Sequence, residues 1–181
     1  TVRDAAASNK AGGGAGVAFW STKSLTYTTN DFTVAYCRFQ NCRHASGAVY
    51  GGFAFGTIFC DNVGVTCAGA RSMQAVNCIF YNNAPYGMHY AYELVNCTFA
   101  NNPTERGVHC QNPPSPRVRW TNCAIFGNGK KGALNCPTCS YCLFDADSTN
   151  SVGQLDPKVY EDSTDVTAIE GRKDKACHTN L

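Results

Sequence analysis

The chain has 181 residues, 15% of them charged, and a formal net charge of +2. This length suits one domain with a sizeable core. The near-balanced charge suggests neither a nucleic-acid-binding surface nor an acidic tail. No apolar run is long enough for a transmembrane helix, so the sequence predicts no membrane span.

The chain divides by composition into three parts. Residues 1–16 are small and rich in glycine, which predicts a flexible lead-in or a thin first coil. Residues 17–147 carry an internal repeat. Residues 148–181 contain no Phe or Trp but several acidic side chains, so we expect an irregular acidic C-terminal cap over the open end of the repeat.

A short unit recurs through the central part. The stretch Val76–Asn83 returns almost unchanged as Val95–Asn102. Weaker copies lie upstream at 36–41 and downstream at 122–128. Self-similarity at intervals of about 20 residues is typical of a solenoid or another stacked array.

Each unit reads as a strand that ends in a turn. Val76, Cys78 and Phe80 alternate with Asn77 and Ile79, which is the two-residue period of a half-buried strand. An Asn and then a Gly follow, and both residue types tolerate the dihedral angles of a bend. The unit is too short for a crossover helix. We therefore predict an all-β, right-handed parallel β-helix of about six to seven coils.

Stacking the units assigns the inward side chains to columns. We read the unit as Cys-x-Phe-x-Asn, and stacked Asn side chains would share amide hydrogen bonds from coil to coil. The predicted aromatic column contains Phe39, Cys60, Phe80, Phe99 and Ile125 or Phe126. The column beside it contains Cys37, Ile58, Cys78, Cys97, Cys123 and Cys142. The predicted Asn column contains Asn41, Asn62, Asn82, Asn101 and Asn128.

Twelve cysteines are far above ordinary usage and favour an oxidising compartment, so we expect a secreted or cell-surface protein. The chain begins without Met or a signal-peptide pattern, which favours a mature or excised portion of a longer secreted product. Stacked cysteines one coil apart are candidates for disulfides, although connectivity stays open and small buried thiols are the alternative. The candidate pairs are Cys78 with Cys97, Cys110 with Cys136, and Cys123 with Cys142.

Metal and cofactor signals are weak. The segment Cys136–Cys142 has two Cys-x-x-Cys spacings but no clear fourth ligand, so we predict no metal site there. The acidic residues of the C-terminal part lack the spacing of a recognised calcium loop, which leaves calcium as an alternative to no cofactor. Asn96-Cys97-Thr98 is an N-glycosylation acceptor string whose Asn we expect to point outward.

Several strings resemble a known family. Phe-x-x-Asn at 59–62, 80–83 and 99–102, with Gly-Ala-Val at 47–49 and the glycine-rich run 12–17, is similar to the repeats of polymorphic outer-membrane and related pectin-lyase-fold β-helix proteins. The segment 155–160, followed by Cys177, resembles the closing segment of secreted right-handed β-helix repeat proteins. The resemblance covers roughly 12–177 and implies the fold. It does not choose an activity, since such proteins include polysaccharide lyases and hydrolases, adhesins and structural shafts.

A basic and aromatic strip is the most pointed chemical signal. If Met88 and Val108 face inward, His89 and His109 stack on the outside, with Tyr90 beside them and Arg106 at the start of the next strand. The resemblance implies that such a strip can hold an anionic polysaccharide. A His or Tyr there could abstract a proton next to a uronate carboxyl while Arg neutralises the charge. The alternative interpretation is that the two histidines occupy outward positions by chance and have no function.

Further residues belong to this predicted strip, namely Thr66, Tyr92, Glu105, Arg117 and Arg119. A hydrolase is disfavoured, because the acids between 32 and 144 do not cluster and glycoside hydrolysis needs two facing carboxylates.

Two hypotheses for the function remain. One is a non-enzymatic extracellular structural or adhesive module that assembles with like copies or other domains; the partner expected in general is an extracellular protein or a polysaccharide. The alternative is a carbohydrate-active protein, either a polysaccharide lyase or a polysaccharide binder, that uses the strip.

Overall fold

The computed structural model describes residues 1–5, 17–18, 33–104, 106–110, 118–129, 131–134 and 139–144, and the regular elements in these ranges are all β-strands. The strands form three sheets. Numbered along the chain, sheet I contains β1 Val2–Arg3, β4 Arg38–Gln40, β7 Ile58–Cys60, β10 Ile79–Tyr81, β13 Thr98–Ala100, β16 Ala124–Phe126 and β19 Leu143–Phe144. Sheet II contains β2 Val17–Ala18, β5 Val49–Tyr50, β8 Ala70–Arg71, β11 Tyr86–Ala91, β14 Arg106–Cys110 and β17 Lys131–Leu134. Sheet III contains β3 Thr33–Ala35, β6 Phe53–Phe55, β9 Gln74–Val76, β12 Glu93–Val95, β15 Arg119–Thr121 and β18 Cys139–Ser140.

The sheets wind into a parallel solenoid. Successive strands of each sheet come from successive coils and pair in parallel, which confirms the predicted class of an all-β parallel β-helix. About four consecutive coils, built from β3–β5, β6–β8, β9–β11 and β12–β14, lie within 33–110. This is slightly fewer than the predicted six to seven. Strands of other coils extend the sheets at both ends, where much of the chain lies outside the described ranges.

Residues with left-handed backbone dihedrals mark two corners of each coil. Their φ angles lie between 50° and 60°. The corner from sheet III to sheet I is formed by Tyr36, Gly56, Asn77, Asn96, Asn122 and Tyr141. The corner after sheet I is formed by Asp4, Asn41, Asp61, Asn82, Asn101 and Gly127. Ten of these twelve residues are Asn, Asp or Gly, which adopt this conformation at low cost, so they favour a bend at these positions.

A column of stacked rings fills the core behind sheet I. Phe39, Phe59, Phe80 and Phe99 lie in register, with successive ring centroids 5.3, 4.7 and 4.6 Å apart. Ile125 continues the column. The rings are at most 1% exposed, so they supply a large share of the buried apolar area that drives folding.

One predicted member of this column was wrong. Cys60 is buried but pairs with Gln40 and Tyr81, one residue after the ring position, and Phe59 occupies the ring position instead. Phe126 is exposed, so Ile125 rather than Phe126 is the inward residue of its coil.

A second column lies at the first corner and contains Cys37, Thr57, Cys78, Cys97, Cys123 and Cys142. Thr57 stands where Ile58 was predicted. The Thr57 Oγ1 accepts a hydrogen bond of 3.3 Å from the Cys37 N–H, and Thr57 is fully buried whereas Ile58 is partly exposed. A hydroxyl can replace a thiol here because it also finds a backbone carbonyl as acceptor, at Phe55.

The Asn column lies at the second corner, one residue beyond the left-handed position. It contains Asn62, Asn83, Asn102 and Asn128, preceded by Cys42 in the first coil. The Cys42 N–H donates to Asn62 Oδ1 at 2.9 Å, and the amides of Asn62, Asn83 and Asn102 are fully buried.

The predicted Asn column was therefore wrong at three of its five positions. Asn41, Asn82 and Asn101 are exposed corner residues with positive φ. The left-handed corner residue points out and the next residue points in, so the two-residue alternation of the strand does not continue through the corner.

The predicted disulfides Cys78–Cys97 and Cys123–Cys142 are not formed. Free thiols are carried by Cys37, Cys42, Cys60, Cys67, Cys78, Cys97, Cys123 and Cys142. In-register residues of parallel neighbours keep their Cα–Cβ bonds parallel, so their Cβ atoms stay about 4.8 Å apart, which exceeds the usual separation of about 3.5 to 4.5 Å in a disulfide. The third pair lies outside the described residues, because neither the Cys110 side chain nor Cys136 is described.

Candidate functional site

The candidate site is a strip of side chains on the outer face of sheet II. Tyr50, Arg71, His89 and His109 occupy the same position on consecutive coils. The neighbouring residues Met88 and Val108 are fully buried. His89 and His109 therefore lie on the outer side, as the sequence analysis expected, and both are partly exposed.

Arg71 is the member of the strip that the sequence analysis missed. The repeat alignment predicts Thr66 one coil before His89, but Arg71 pairs with His89 and Thr66 lies off the strand. The Arg71 Nη1 donates to Thr66 Oγ1 at 3.4 Å. A glycine two residues earlier precedes Arg71, His89 and His109 alike, and alignment on that glycine would have placed the arginine correctly.

A β-bulge in β11 brings a tyrosine ring onto the histidines. The register shifts between His89 and Ala91, and Tyr90 at the shift has a φ of 60°. A bulge of this kind re-aims a side chain that would otherwise point to the other face. The Tyr90 ring consequently stacks on His89 with centroids 4.0 Å apart.

The strip is continuous from ring to ring. His89 stacks on His109 at 4.7 Å between centroids, and Tyr86 stacks on His89 at 5.0 Å. The Arg71 guanidinium carbon lies 5.1 Å from the Tyr90 centroid and 5.8 Å from the Tyr50 centroid. These distances fit cation–π contacts, so the rings hold the guanidinium in place.

The charge of Arg71 is not balanced by an acid in the described part of the chain. The ion pair found there joins Arg119 to Glu93 at 3.9 Å on sheet III. The Arg71 Nε is buried and has no hydrogen-bond acceptor among the described residues. The strip therefore presents a cation that is held by aromatic rings and partly withdrawn from water.

The other residues predicted for the strip do not all lie on sheet II. Arg106 begins β14 in register with Tyr86, so its backbone belongs to the strip. Arg119 lies on sheet III. Tyr92 packs against the core, and burial raises the pKa of its phenol. Glu105 and Arg117 lie outside the described residues.

Carboxylate side chains do not cluster in the described part of the chain. Asp61 accepts hydrogen bonds from Gln40 at 3.1 Å and Asn82 at 2.9 Å at the corner after sheet I, while Glu93 lies on sheet III. The described residues also contain no group of three or more His, Cys, Asp or Glu side chains placed to hold a metal ion. The acidic C-terminal part, where calcium was the alternative, lies outside them.

Cys67 lies beneath the strip as a structural thiol. Its Sγ donates to the Ala70 carbonyl at 2.6 Å, and burial raises the pKa of this thiol to about 12. A thiol that stays protonated is a poor nucleophile. Cys67 therefore packs the core and does not take part in chemistry at the strip.

The glycosylation candidate Asn96 is exposed at the first corner. Its Nδ2 donates to Asn77 Oδ1 at 3.1 Å, and its Oδ1 accepts from Asn122 Nδ2 at 2.7 Å. The outward direction agrees with the expectation, and the modification itself stays a prediction.

In the part of the chain that the structure describes, no helix is long and apolar enough to cross a membrane. Searches against protein-family models, curated proteins and solved structures found no match to this chain.

Proposed function

We propose that this chain is a non-enzymatic extracellular module, a structural or adhesive β-solenoid that joins like copies, other proteins or polysaccharides. The observation that carries the proposal is the dispersion of the carboxylates in the part of the chain that the structure describes. Asp61 and Glu93 lie on different parts of the coil, and each is engaged with polar or charged neighbours. Acid–base hydrolysis of a glycoside needs two such groups across one bond.

Continuous columns support the structural part of the proposal. Rings, thiols and amides each repeat from coil to coil through the described core. In a solenoid each coil contacts mainly its neighbours, so unbroken columns give a stiff, elongated element. Such an element holds a surface at a fixed distance and orientation, which suits a shaft or an adhesive module.

The extracellular assignment rests on the cysteine-rich composition. Free thiols are compatible with it because most are buried; Cys67, Cys78 and Cys97, for example, are at most 1% exposed. Buried thiols behave as small hydrophobic side chains and are shielded from oxidants.

A second function, a polysaccharide lyase or binder, is favoured by the strip of His89, His109 and Tyr90 with Arg71, and by the place of Arg106 at its edge. The imidazoles could take up a proton and the guanidinium could neutralise a carboxylate. Binding alone would also use these groups, without any bond being broken.

One assay separates the two functions. The purified chain is incubated with oligouronates while the absorbance of an unsaturated product is followed. We expect no turnover above a buffer control. Product formation that is lost in both His89→Gln and His109→Gln variants would overturn the non-enzymatic proposal in favour of a lyase.

A further inference from the structure

The column of thiols at the first corner runs without interruption through four consecutive coils. Its buried members carry free thiols and are Cys78, Cys97, Cys123 and Cys142. The Thr98 N–H donates to the Cys78 carbonyl, and the Ala124 N–H donates to the Cys97 carbonyl, each at 2.9 Å, which fixes the register of the column. Side-chain hydrogen bonds link each thiol to the next. The four sulfurs therefore form one row along the solenoid axis.

The sulfurs of this row repeat at the spacing of the strands. The Sγ atoms of Cys78, Cys97 and Cys123 each contact the backbone carbonyl two residues earlier, at 3.3, 3.4 and 3.4 Å. The same contact in each coil means the same side-chain rotamer, so neighbouring sulfurs lie about 4.8 Å apart, as neighbouring strands do. A disulfide bond is about 2.0 Å long, so the thiols are too far apart to form one.

A separation of this size suits a metal ion that binds two sulfurs in a line. Bonds from zinc to a cysteine sulfur are about 2.3 Å long, and other ions that prefer sulfur form bonds of similar length. Two such bonds end to end span about 4.6 Å, which is close to the strand spacing. Thiolate ligands select Cu⁺, and the filled d shell of this ion allows linear coordination. A Cu⁺ ion therefore fits between two neighbouring coils without a shift of the backbone.

The same geometry disfavours ions that gather more ligands. Structural Zn²⁺ sites have four protein ligands, whereas each gap in the column is bordered by two sulfurs. Among the residues that the structure describes, no three or more His, Cys, Asp or Glu side chains are grouped to hold a metal ion. The column thus discriminates by coordination number and favours an ion that needs two ligands.

Occupation of adjacent gaps limits the charge that is buried. Thiols bind a metal ion as thiolates and release their protons to water. One Cu⁺ between two thiolates leaves one negative charge, and three Cu⁺ among four thiolates also leave only one. Because uncompensated charge in a core is costly, the row favours filling every gap, with Cys97 and Cys123 each bridging two ions.

The thiols lie close to the surface of the coil although they are buried. Cys78, Cys97 and Cys123 each follow directly on a corner residue, and the corner residues Asn77, Asn96 and Asn122 are exposed. Exposed corners with few buried contacts open more easily than the core of a sheet. Local opening at the corner therefore gives an ion a short path to the sulfurs.

We propose that the thiol column binds Cu⁺, with one ion in each gap between Cys78, Cys97, Cys123 and Cys142. The site ends at Cys78, because Thr57 places a hydroxyl between Cys78 and the thiol of Cys37. This metal site goes beyond the structural function proposed above and does not depend on it.

The test counts the Cu⁺ ions that the reduced full chain retains. Cu⁺ is added without oxygen, loosely held ions are removed with bicinchoninate, and copper is counted by atomic absorption. Cysteines outside the column are the same in the parent and in the column variants, so each variant is compared with the parent. We expect copper to be retained, and an excess of Zn²⁺ should not lower the count.

Serine variants should lose ions according to their position. Cys78→Ser removes a thiol that borders one gap and should lose about one ion, whereas Cys97→Ser removes a thiol that borders two gaps and should lose about two. Thr57 shows that the column accepts a hydroxyl. Cys67→Ser is the matched control and should lose none, because Cys67 is a buried thiol outside the column with Ser46 opposite it in the preceding coil.

Thr57→Cys tests the same geometry by a gain of binding, and it decides the question if circular dichroism shows that Cys97→Ser does not fold. A thiol at this position joins Cys37 to the row and creates two further gaps, so about two more ions should be retained. Equal losses in the three serine variants, no loss in Cys97→Ser, no gain in folded Thr57→Cys, or displacement of copper by Zn²⁺ would each overturn the proposal. The non-enzymatic function is tested separately by the oligouronate assay.

Discussion

Asn83 Nδ2 donates a hydrogen bond of 3.2 Å to Asn102 Oδ1, while Asn83 Oδ1 accepts one of 2.8 Å from Asn62 Nδ2. The same amide also donates to the Phe59 carbonyl at 3.0 Å and accepts from the Asn62 N–H at 3.2 Å. An Asn side chain has two donors and two acceptor positions. All four are used inside the core, so one side chain ties three coils together.

The ring column gives the first prediction. Phe80 lies fully buried between Phe59 and Phe99. Replacing Phe80 by Ala removes ring contacts on both sides and leaves a cavity, so the free energy of unfolding should fall by about 3 to 5 kcal/mol. Urea denaturation followed by circular dichroism measures this change.

Ile79 provides the matched control for that prediction. It precedes Phe80 in the chain and its side chain is 42% exposed. Ile79→Ala should lower the free energy of unfolding by less than about 1 kcal/mol. A loss as large as that of Phe80→Ala would mean that the inward and outward positions of β10 are assigned the wrong way round.

The sequence predicted the fold because the repeat is short and the strand pattern is clear within each copy. Val76 to Phe80 alternates in two-residue steps, and no helix fits the interval. The register beyond the strand could not be predicted from alternation. Phe80 and Asn83 both point inward although they are three residues apart, because Asn82 between them has a left-handed backbone.

Paired Asn residues concealed this error. Asn82 and Asn83 are adjacent, so either could continue the column, and alternation from Phe80 selects the first of them. The same choice aligned Cys60 with the rings, whereas the unit that the structure contains is Cys-x-Phe-x-x-Asn. In one coil the corner is Asp61 followed by Asn62. The single Asn in that pair is the second residue, which indicates that the second residue of each pair continues the column.

At the candidate site, the stacking of His89 on His109 could be predicted from the repeat interval. Arg71 was missed because alignment on Gly64 selects Thr66, whereas Gly69 is the equivalent of the glycines before His89 and His109. The approach of Tyr90 to His89 depends on a bulge, and a local change of register of this kind has no simple signature in strand alternation.

The thiols give the second prediction. Eight described cysteines carry free thiols, since stacked in-register Cβ atoms are too far apart for disulfides. Thiol titration of the unfolded, unreduced protein should therefore find at least eight of the twelve cysteines reactive. Fewer than half of the twelve would show that cross-coil disulfides form after all.

The third prediction concerns alkaline pH. Burial raises the pKa of the Cys67 thiol to about 12 from a usual value of 9.0. A raised pKa in the folded state means that the contribution to stability is complete below about pH 9 and is lost as pH rises toward 12, because only the unfolded chain can release the proton easily. The loss amounts to about 1.4 kcal/mol for each pH unit in this window.

Urea denaturation at several pH values between about 8 and 11 measures this loss. Cys67→Ala should be less stable than the parent near pH 8 but should lose stability more slowly above pH 9 than the parent does. Parallel slopes for the parent and Cys67→Ala would contradict the assignment.

The residue after each left-handed corner points into the core, and comparison of Asn83→Ala with Asn82→Gly tests this arrangement. Asn83→Ala leaves the side-chain amides of Asn62 and Asn102 without their hydrogen-bond partner, and unmatched buried polar groups cost roughly 1 to 3 kcal/mol each. Asn82 is exposed with a φ of 51°, so glycine tolerates its backbone and removes only a surface contact, which costs within about 0.5 kcal/mol. We expect a large loss in the free energy of unfolding for Asn83→Ala and a small one for Asn82→Gly. Equal losses, or a larger loss for Asn82→Gly, would contradict it.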